Sequence, residues 1–160
     1  THLTGRRVWV KHIREGVELP EVARDDHFST HFQEIRLLKN RVQVLPGDAL
    51  FITCSYETKD RENVTLGGFG ITDEMCVTYI HYFPKTNLEV CKSSVDSDSL
   101  EAYFRHQNSY HGVPTSTKKG ISDNYKSISW TPYQVDFLRH FYDEMPLSMQ
   151  CNQSSGARFP

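Results

Sequence analysis

From residue 7 to residue 83 the apolar residues recur every second position in short runs broken by turn residues, a period that suits strands and gives helices no continuous apolar face. RVWVKHI, residues 7–13, alternates in this way, and Phe32 to Leu38 follows with the same character. RVQVLPGDALFITCSY then sets two β-rich runs around Pro46-Gly47-Asp48, the pattern of a hairpin. After VTLGGFG comes the run that holds Met75. Several short strands joined by tight turns predict a mainly β fold, an antiparallel β-sandwich of jelly-roll type.

Beyond Pro84 the character changes, and a short helical C-terminal extension is expected. Leu100 to His106 reads as one short helix capped by Asp98 with Glu101 behind it, and residues 108–128 read as loop. The clearest helix runs from Pro132 to about Asp143, where Thr131 and Gln134 form a capping box around a proline at the first helical position. Its Val135, Leu138 and Phe141 or Tyr142 make one apolar stripe, read as core packing rather than as a partner-binding face. The expected division is residues 1–90 as one domain and 91–160 as an extension of loop and amphipathic helix, with assembly as its expected role.

A formal net charge of −2 spread along the chain offers nucleic acid or an anionic membrane no electrostatic reason to bind. There is no run of 18 apolar residues, and THLTGRRVWV lacks the apolar core of a signal peptide, so any address signal is expected outside these residues. Four cysteines, Cys54, Cys76, Cys91 and Cys151, show no Cys-x-x-Cys spacing and allow three pairings if all are bridged. Two sequons, Asn63-Val64-Thr65 and Asn152-Gln153-Ser154, lie in polar surroundings close to cysteines. Together they point to the secretory pathway, either a secretory vesicle lumen or the extracellular space.

Candidate chemistry narrows by elimination. His27 and His31 have the i, i+4 spacing of a helical metal motif, but they sit in DDHFSTHF ahead of a strand, where extended backbone would hold them more than about 12 Å apart. A polar loop is the better reading. No serine elbow is present, GGFG lacks the lysine of a phosphate loop, and Asp73 and Glu74 are contiguous rather than opposed. In GGFGITDEMCVTYIHYFP, residues 67–84, an extended chain puts Met75, Val77, Tyr79, His81 and Phe83 on one face and Cys76, Thr78, Ile80 and Tyr82 on the other. Thioether sulfur prefers Cu(I) and imidazole accepts both copper states, so a methionine and histidine set suits a copper that cycles. Periodicity alone makes Met75 a core residue.

The segments HLTGR, DDHFSTHFQEIRLLKN, VLPGDALFITCSY, GGFGITDEMCVTYIHYFP, LEVCKSSV and PLSMQCNQSS together resemble the second copper domain and C-terminal region of the copper type II, ascorbate-dependent monooxygenases, nearly end to end. The likeness is strongest to the branch that hydroxylates dopamine and tyramine. In this family the oxygen-binding copper is held by a His-Thr-His tripeptide and by the methionine of a Glu-Met-Cys sequence. Carried over by position, Thr1 and His2 match the last two residues of the tripeptide and Met75 matches the thioether, so the metal ligands expected here are His2 and Met75. The first histidine would precede Thr1, and residues 1–90 are expected to lack the start of their domain. The other copper domain would also lie upstream, and this chain is not expected to turn over alone.

The resemblance pairs Cys54 with Cys76, which would pin the methionine segment to the preceding strand. It pairs Cys91 and Cys151 with cysteines upstream of Thr1. It implies two coppers per full-length subunit, one partly ligated here, with ascorbate as reductant and O2 as co-substrate. No catalytic residue is expected beyond the metal site. The related peptide-amidating hydroxylase carries an asparagine and a tyrosine at the positions of Val77 and Tyr79, where they grip a peptide carboxylate. Val77 cannot hydrogen-bond a carboxylate, so the expected substrate is a small amine, a phenylethylamine such as dopamine or tyramine, hydroxylated at its benzylic (β) carbon. The alternatives are an orphan monooxygenase-like protein and a non-catalytic secreted β-sandwich module. A homo-oligomer is expected to be non-covalent in the C-terminal region, since GVPTSTKKGISDNYKS carries no cysteine.

Overall fold

A computed structural model describes residues 1–159 of the chain. They form two compact units, one of residues 1–80 and one from residue 81 onward. The strand that begins at Leu88 finds its partner near the C-terminus and belongs to the second unit.

The first unit is built on β1 (Gly5–Arg14), β2 (Val17–Glu18), β3 (Ala23–Asp25) and β4 (Ala49–Tyr56), all paired antiparallel. β1 is central. β4 runs along it from Gly5↔Tyr56 to Ile13↔Ala49, while β2 and β3 pair with it at Arg14↔Val17 and at Val8↔Asp25 to Val10↔Ala23. Glu15 and Gly16 both take positive φ, 51° and 78°, between the paired residues Arg14 and Val17. A two-residue turn of this hand matches the strand twist. Val10 is buried, and Trp9 lies beneath the Arg24 guanidinium at 5.1 Å.

The antiparallel architecture follows the alternation of the sequence, and no closed barrel forms, but three expected strands are absent as ladders. Residues 32–38, residues 41–44 and the stretch after Met75 carry no strand pairing. A strand is held by a neighbour's N–H and C=O groups, and among the described residues these segments have no ladder partner. Their apolar side chains accordingly face solvent, Leu37 at 99 % and Tyr79 at 87 % exposure. The expected hairpin is therefore half formed. The Pro46-Gly47-Asp48 turn is closed by Asp48 N–H donating to the Leu45 carbonyl at 3.0 Å, and β4 follows, paired with β1 rather than with residues 41–44.

The second unit pairs β5 (Leu88–Val95) with β6 (Leu147–Gln153), antiparallel, and adds α1 (Ser97–His111), α2 (Ile121–Lys126) and α3 (Pro132–Glu144). α1 starts earlier and runs longer than expected, because Asp96 rather than Asp98 caps it by accepting from Ser99 N–H at 3.1 Å. Part of the segment read as loop forms α2. α3 starts as the sequence predicts, with the Thr131 hydroxyl accepting from Gln134 N–H. The return arm of the capping box is diverted: Gln134 Oε1 accepts from Gln107 Nε2 at 2.6 Å instead. The core joins Val95, Tyr103, Phe104, Ile128 and Phe141, with Phe137 and Leu138 packed against it. α3 thus buries Gln134, Phe141 and part of Phe137 and Leu138, whereas Val135 of the expected stripe stays exposed. Among the described residues no helix is long and apolar enough to cross a membrane.

Candidate metal centre

The site is assembled where the chain enters β1. His2 is three residues ahead of the strand, and its carbonyl accepts from Gly5 N–H at 3.3 Å and from the Thr30 hydroxyl at 2.8 Å. His2 Nδ1 lies 2.9 Å from the carbonyl oxygen of Asp73. A carbonyl only accepts, so Nδ1 is the donor in this contact and Nε2 is the nitrogen left for another partner. This arrangement, one ring nitrogen anchored to a carbonyl and the other left as donor, is the usual way an imidazole is aimed at a metal.

Asp73 is two residues before Met75, so the histidine ring is tied to the segment that delivers the thioether. Glu74 ties it a second time. Its Oε2 accepts from His2 N–H at 2.7 Å, and its Oε1 accepts from the N–H and the hydroxyl of Thr4 at 2.7 and 2.6 Å. Burial alone would raise the Glu74 pKa, but the Thr4 and His2 hydrogen bonds and the nearby His2 outweigh it and hold the carboxyl below its ordinary value. Glu74 N–H donates to the Leu66 carbonyl at 2.9 Å, and its own carbonyl accepts from Gly68 N–H at 3.1 Å. A Cβ at Gly68 would meet the Asp73 carboxylate, which would have to shift to admit it.

The Met75 carbonyl accepts from the Tyr56 hydroxyl at 2.9 Å, and Tyr56 ends β4. Partial burial and the Glu74 charge push the Tyr56 phenol up to about 12, so it remains a donor. On the next residue, Cys76 is joined by a disulfide to Cys54 of β4, with Cα atoms 5.7 Å apart. Met75 is thus fastened to β4 at two points, its own carbonyl and the next residue, and β4 is laddered to β1, which begins just after His2.

A half-buried thioether and an imidazole whose Nε2 is not the anchored nitrogen are a donor pair that suits copper in both oxidation states and suits hard cations poorly. Two donors do not complete a copper site, and among the described residues no group of three or more His, Cys, Asp or Glu is arranged around a metal. His27 and His31 are both exposed, on a turn where Asp25 and Ser29 side chains accept their backbone N–H groups. Val77 is exposed, at 36 %, and Tyr79 is more exposed still, at 87 %. Asn63 is exposed between Arg61 and the Gly67 bridge, and Asn152 is half-buried in β6.

The remaining two cysteines are also bridged in this structure. Cys91 and Cys151, expected to pair with cysteines ahead of Thr1, are joined to each other. The β5–β6 register puts them directly opposite, with Cα atoms 4.1 Å apart. Sequence reasoning also set Glu74 aside as half of a contiguous acidic pair and did not reach Thr4, Thr30 or Tyr56. The only signal for Glu74 was its place next to Met75, since its carboxylate's partners, His2 and Thr4, lie 72 and 70 residues away along the chain.

Comparison with known proteins bears on the same residues. Residues 1–104 match the model of the copper type II ascorbate-dependent monooxygenase C-terminal domain. Over 99 % of its length the chain is 48 % identical to human dopamine beta-hydroxylase and 44 % identical to tyramine beta-hydroxylase of Caenorhabditis briggsae, covering 26 % of each. It is 33 % identical to the human DBH-like monooxygenase protein 1, again over 99 % of its length and 27 % of that protein's. The chain therefore spans about a quarter of the length of these relatives. With a family match across the β1–β4 sheet, the His2 and Met75 segments and the start of α1, this chain belongs to the copper type II ascorbate-dependent monooxygenases, in the region of their C-terminal domain.

Proposed function

We propose that this chain supplies part of the oxygen-binding copper site of a copper- and ascorbate-dependent monooxygenase that hydroxylates the benzylic carbon of a phenylethylamine such as dopamine or tyramine. The observation that carries it is His2 Nδ1 held by the Asp73 carbonyl, two residues before Met75, with Nε2 left to bind. His2 and Met75 would hold the metal. Copper supplies the one-electron and O2 chemistry, and ascorbate the electrons, that no side chain of the protein can supply. The chain's own part is to aim one imidazole and one thioether and to keep their supports fixed: Asp73 orients the ring, Glu74 and Thr30 hold its backbone, and Tyr56 and the Cys54–Cys76 bridge hold Met75.

The substrate assignment rests on the relatives' names, which specify dopamine and tyramine, and on Val77, a side chain with nothing to offer a peptide carboxylate. Tyr79, exposed beside it in sequence, is the residue available to an aromatic amine. The remaining ligand and the second copper domain are assigned to sequence upstream of Thr1. The disulfides suit an oxidising compartment, and we place the protein in the secretory pathway, in a vesicle lumen or outside the cell, with glycans on Asn63 and Asn152. The helical second unit, which exposes Tyr110, Tyr133 and Val135, is assigned to assembly of a homo-oligomer.

Met75→Leu in the full-length protein tests the copper assignment. The substitution keeps volume, so it should cost less than about 1.5 kcal/mol of stability while removing the soft donor. Hydroxylation with ascorbate should collapse and Cu(I) affinity at this site should fall, with melting temperature little changed. Near-normal hydroxylation by a folded, copper-loaded variant would reduce Met75 to packing and overturn its assignment as a copper ligand.

A further inference from the structure

Glu74 has no role in the ligand set, yet among the described residues its side chain makes the most hydrogen bonds to the histidine segment. Its carboxylate receives three hydrogen bonds, from His2 N–H, Thr4 N–H and the Thr4 hydroxyl, at 2.7, 2.7 and 2.6 Å. Thr4 is only 3 % exposed, so little water competes for these bonds. At the same time its backbone is fixed on both sides, to Leu66 and to Gly68. Both carboxylate oxygens are occupied by the protein, which keeps this negatively charged group from serving as a hard ligand itself.

We propose that Glu74 is a positioning residue for the copper site, whose carboxylate sets the placement of His2 relative to Met75. The proposal rests on the copper-site reading above. The physical basis is that His2 and Met75 come from parts of the chain more than seventy residues apart, and rigid placement of donors on separate segments needs a strut between them. Asp73 can orient the ring but, through a single bond, does not fix the height of the backbone that carries it. Glu74 does that, and it is covalently next to the thioether residue. Only a carboxylate can accept at both oxygens. An amide in its place presents N–H2 to a donor at one of the two positions and must lose at least one bond.

The test uses the full-length protein in three variants, Glu74→Gln, Thr4→Val and Met75→Leu, each measured for Cu(I) affinity by competition with a chromophoric chelator, for the copper–sulfur signal in X-ray absorption, and for melting temperature. Thr4→Val keeps the β-branched shape and removes only the hydroxyl bond. Glu74→Gln is expected to weaken Cu(I) binding at this site about 10- to 100-fold, with a diminished copper–sulfur signal. Thr4→Val should do the same to a smaller extent and with an unchanged melting temperature. If Glu74→Gln does not fold, Thr4→Val carries the measurement. Unchanged Cu(I) affinity and sulfur signal in Glu74→Gln, or in Thr4→Val where that variant stands alone, overturn the positioning role if Met75→Leu has lost both. If Met75→Leu also keeps both, the copper-site reading itself falls and takes the proposal with it.

Discussion

His12 Nε2 and Asp48 Oδ2 meet at 2.7 Å with both side chains almost wholly excluded from water, at 3 % and 1 % exposure. The Arg14 guanidinium closes on the same carboxylate, donating from Nε at 2.8 Å and from Nη2 at 2.7 Å, and Leu45 N–H donates to it at 2.8 Å. Alternate residues of β1 thus hold the start of β4 by one aspartate, and the turn that precedes β4 is held by the same group.

The Arg14 hydrogen bonds, aided by Leu45 N–H and His12, hold the Asp48 carboxyl far below the ordinary carboxylate range against the cost of its burial. A folded-state pKa below the unfolded one contributes stability that is present above the unfolded value of about 3.9 and is lost as pH falls through and below it. Acid unfolding of the full-length protein should therefore begin at a higher pH in Asp48→Asn, and its melting temperature at neutral pH should drop well beyond that of a surface Asp→Asn control. Superimposable acid and thermal profiles would show that this cluster carries no stability.

Closing the 22-residue separation between Cys54 and Cys76 is worth about 3 kcal/mol in the chain-entropy account. Replacing both by alanine should lower stability by that order and weaken copper binding, because Met75 loses one of its two ties to β4. Non-reducing peptide mapping of secreted protein should recover the two cysteines in one bridged fragment pair, and free thiols at both positions would contradict it.

In the second unit Gln107 is fully buried, and its Nε2 donates to Gln134 Oε1 and, at 3.1 Å, to the Tyr103 hydroxyl. Its own Oε1 has no hydrogen-bond partner among the described residues. Gln134→Ala should strand the buried amide and cost about 1–3 kcal/mol. Replacing both glutamines by apolar residues of similar size should recover much of that loss. A urea titration of the single and double variants decides it, and an additive double variant would mean that the pair does not interact.

Asn63 stands exposed in an irregular segment, and the Val64-Thr65 that follows completes its sequon. Protein from a eukaryotic secretory host should carry a glycan there. Mass spectrometry finding this asparagine unmodified throughout would count against the site and against the secretory assignment.

Local signals determined a good deal of this protein. The period-two runs of RVWVKHI and ALFITCSY became β1 and β4, and Thr131, Pro132 and Gln134 set the start of α3, because strand alternation and helix capping act over a few neighbouring residues. The family likeness and the choice of His2 and Met75 also came from contiguous motifs. Tertiary structure decided the rest, wherever an outcome depended on a partner far along the chain. Alternating runs such as residues 32–38 stayed unladdered for want of a neighbour, and Cys91 met Cys151 because β5 and β6 are in register. Glu74 looked like half of an idle acidic pair until folding brought His2 and Thr4 onto its oxygens. Backbone donors such as those N–H groups are present on every non-proline residue, so no sequence pattern marks the ones that will converge on a carboxylate; only the folded chain selects them.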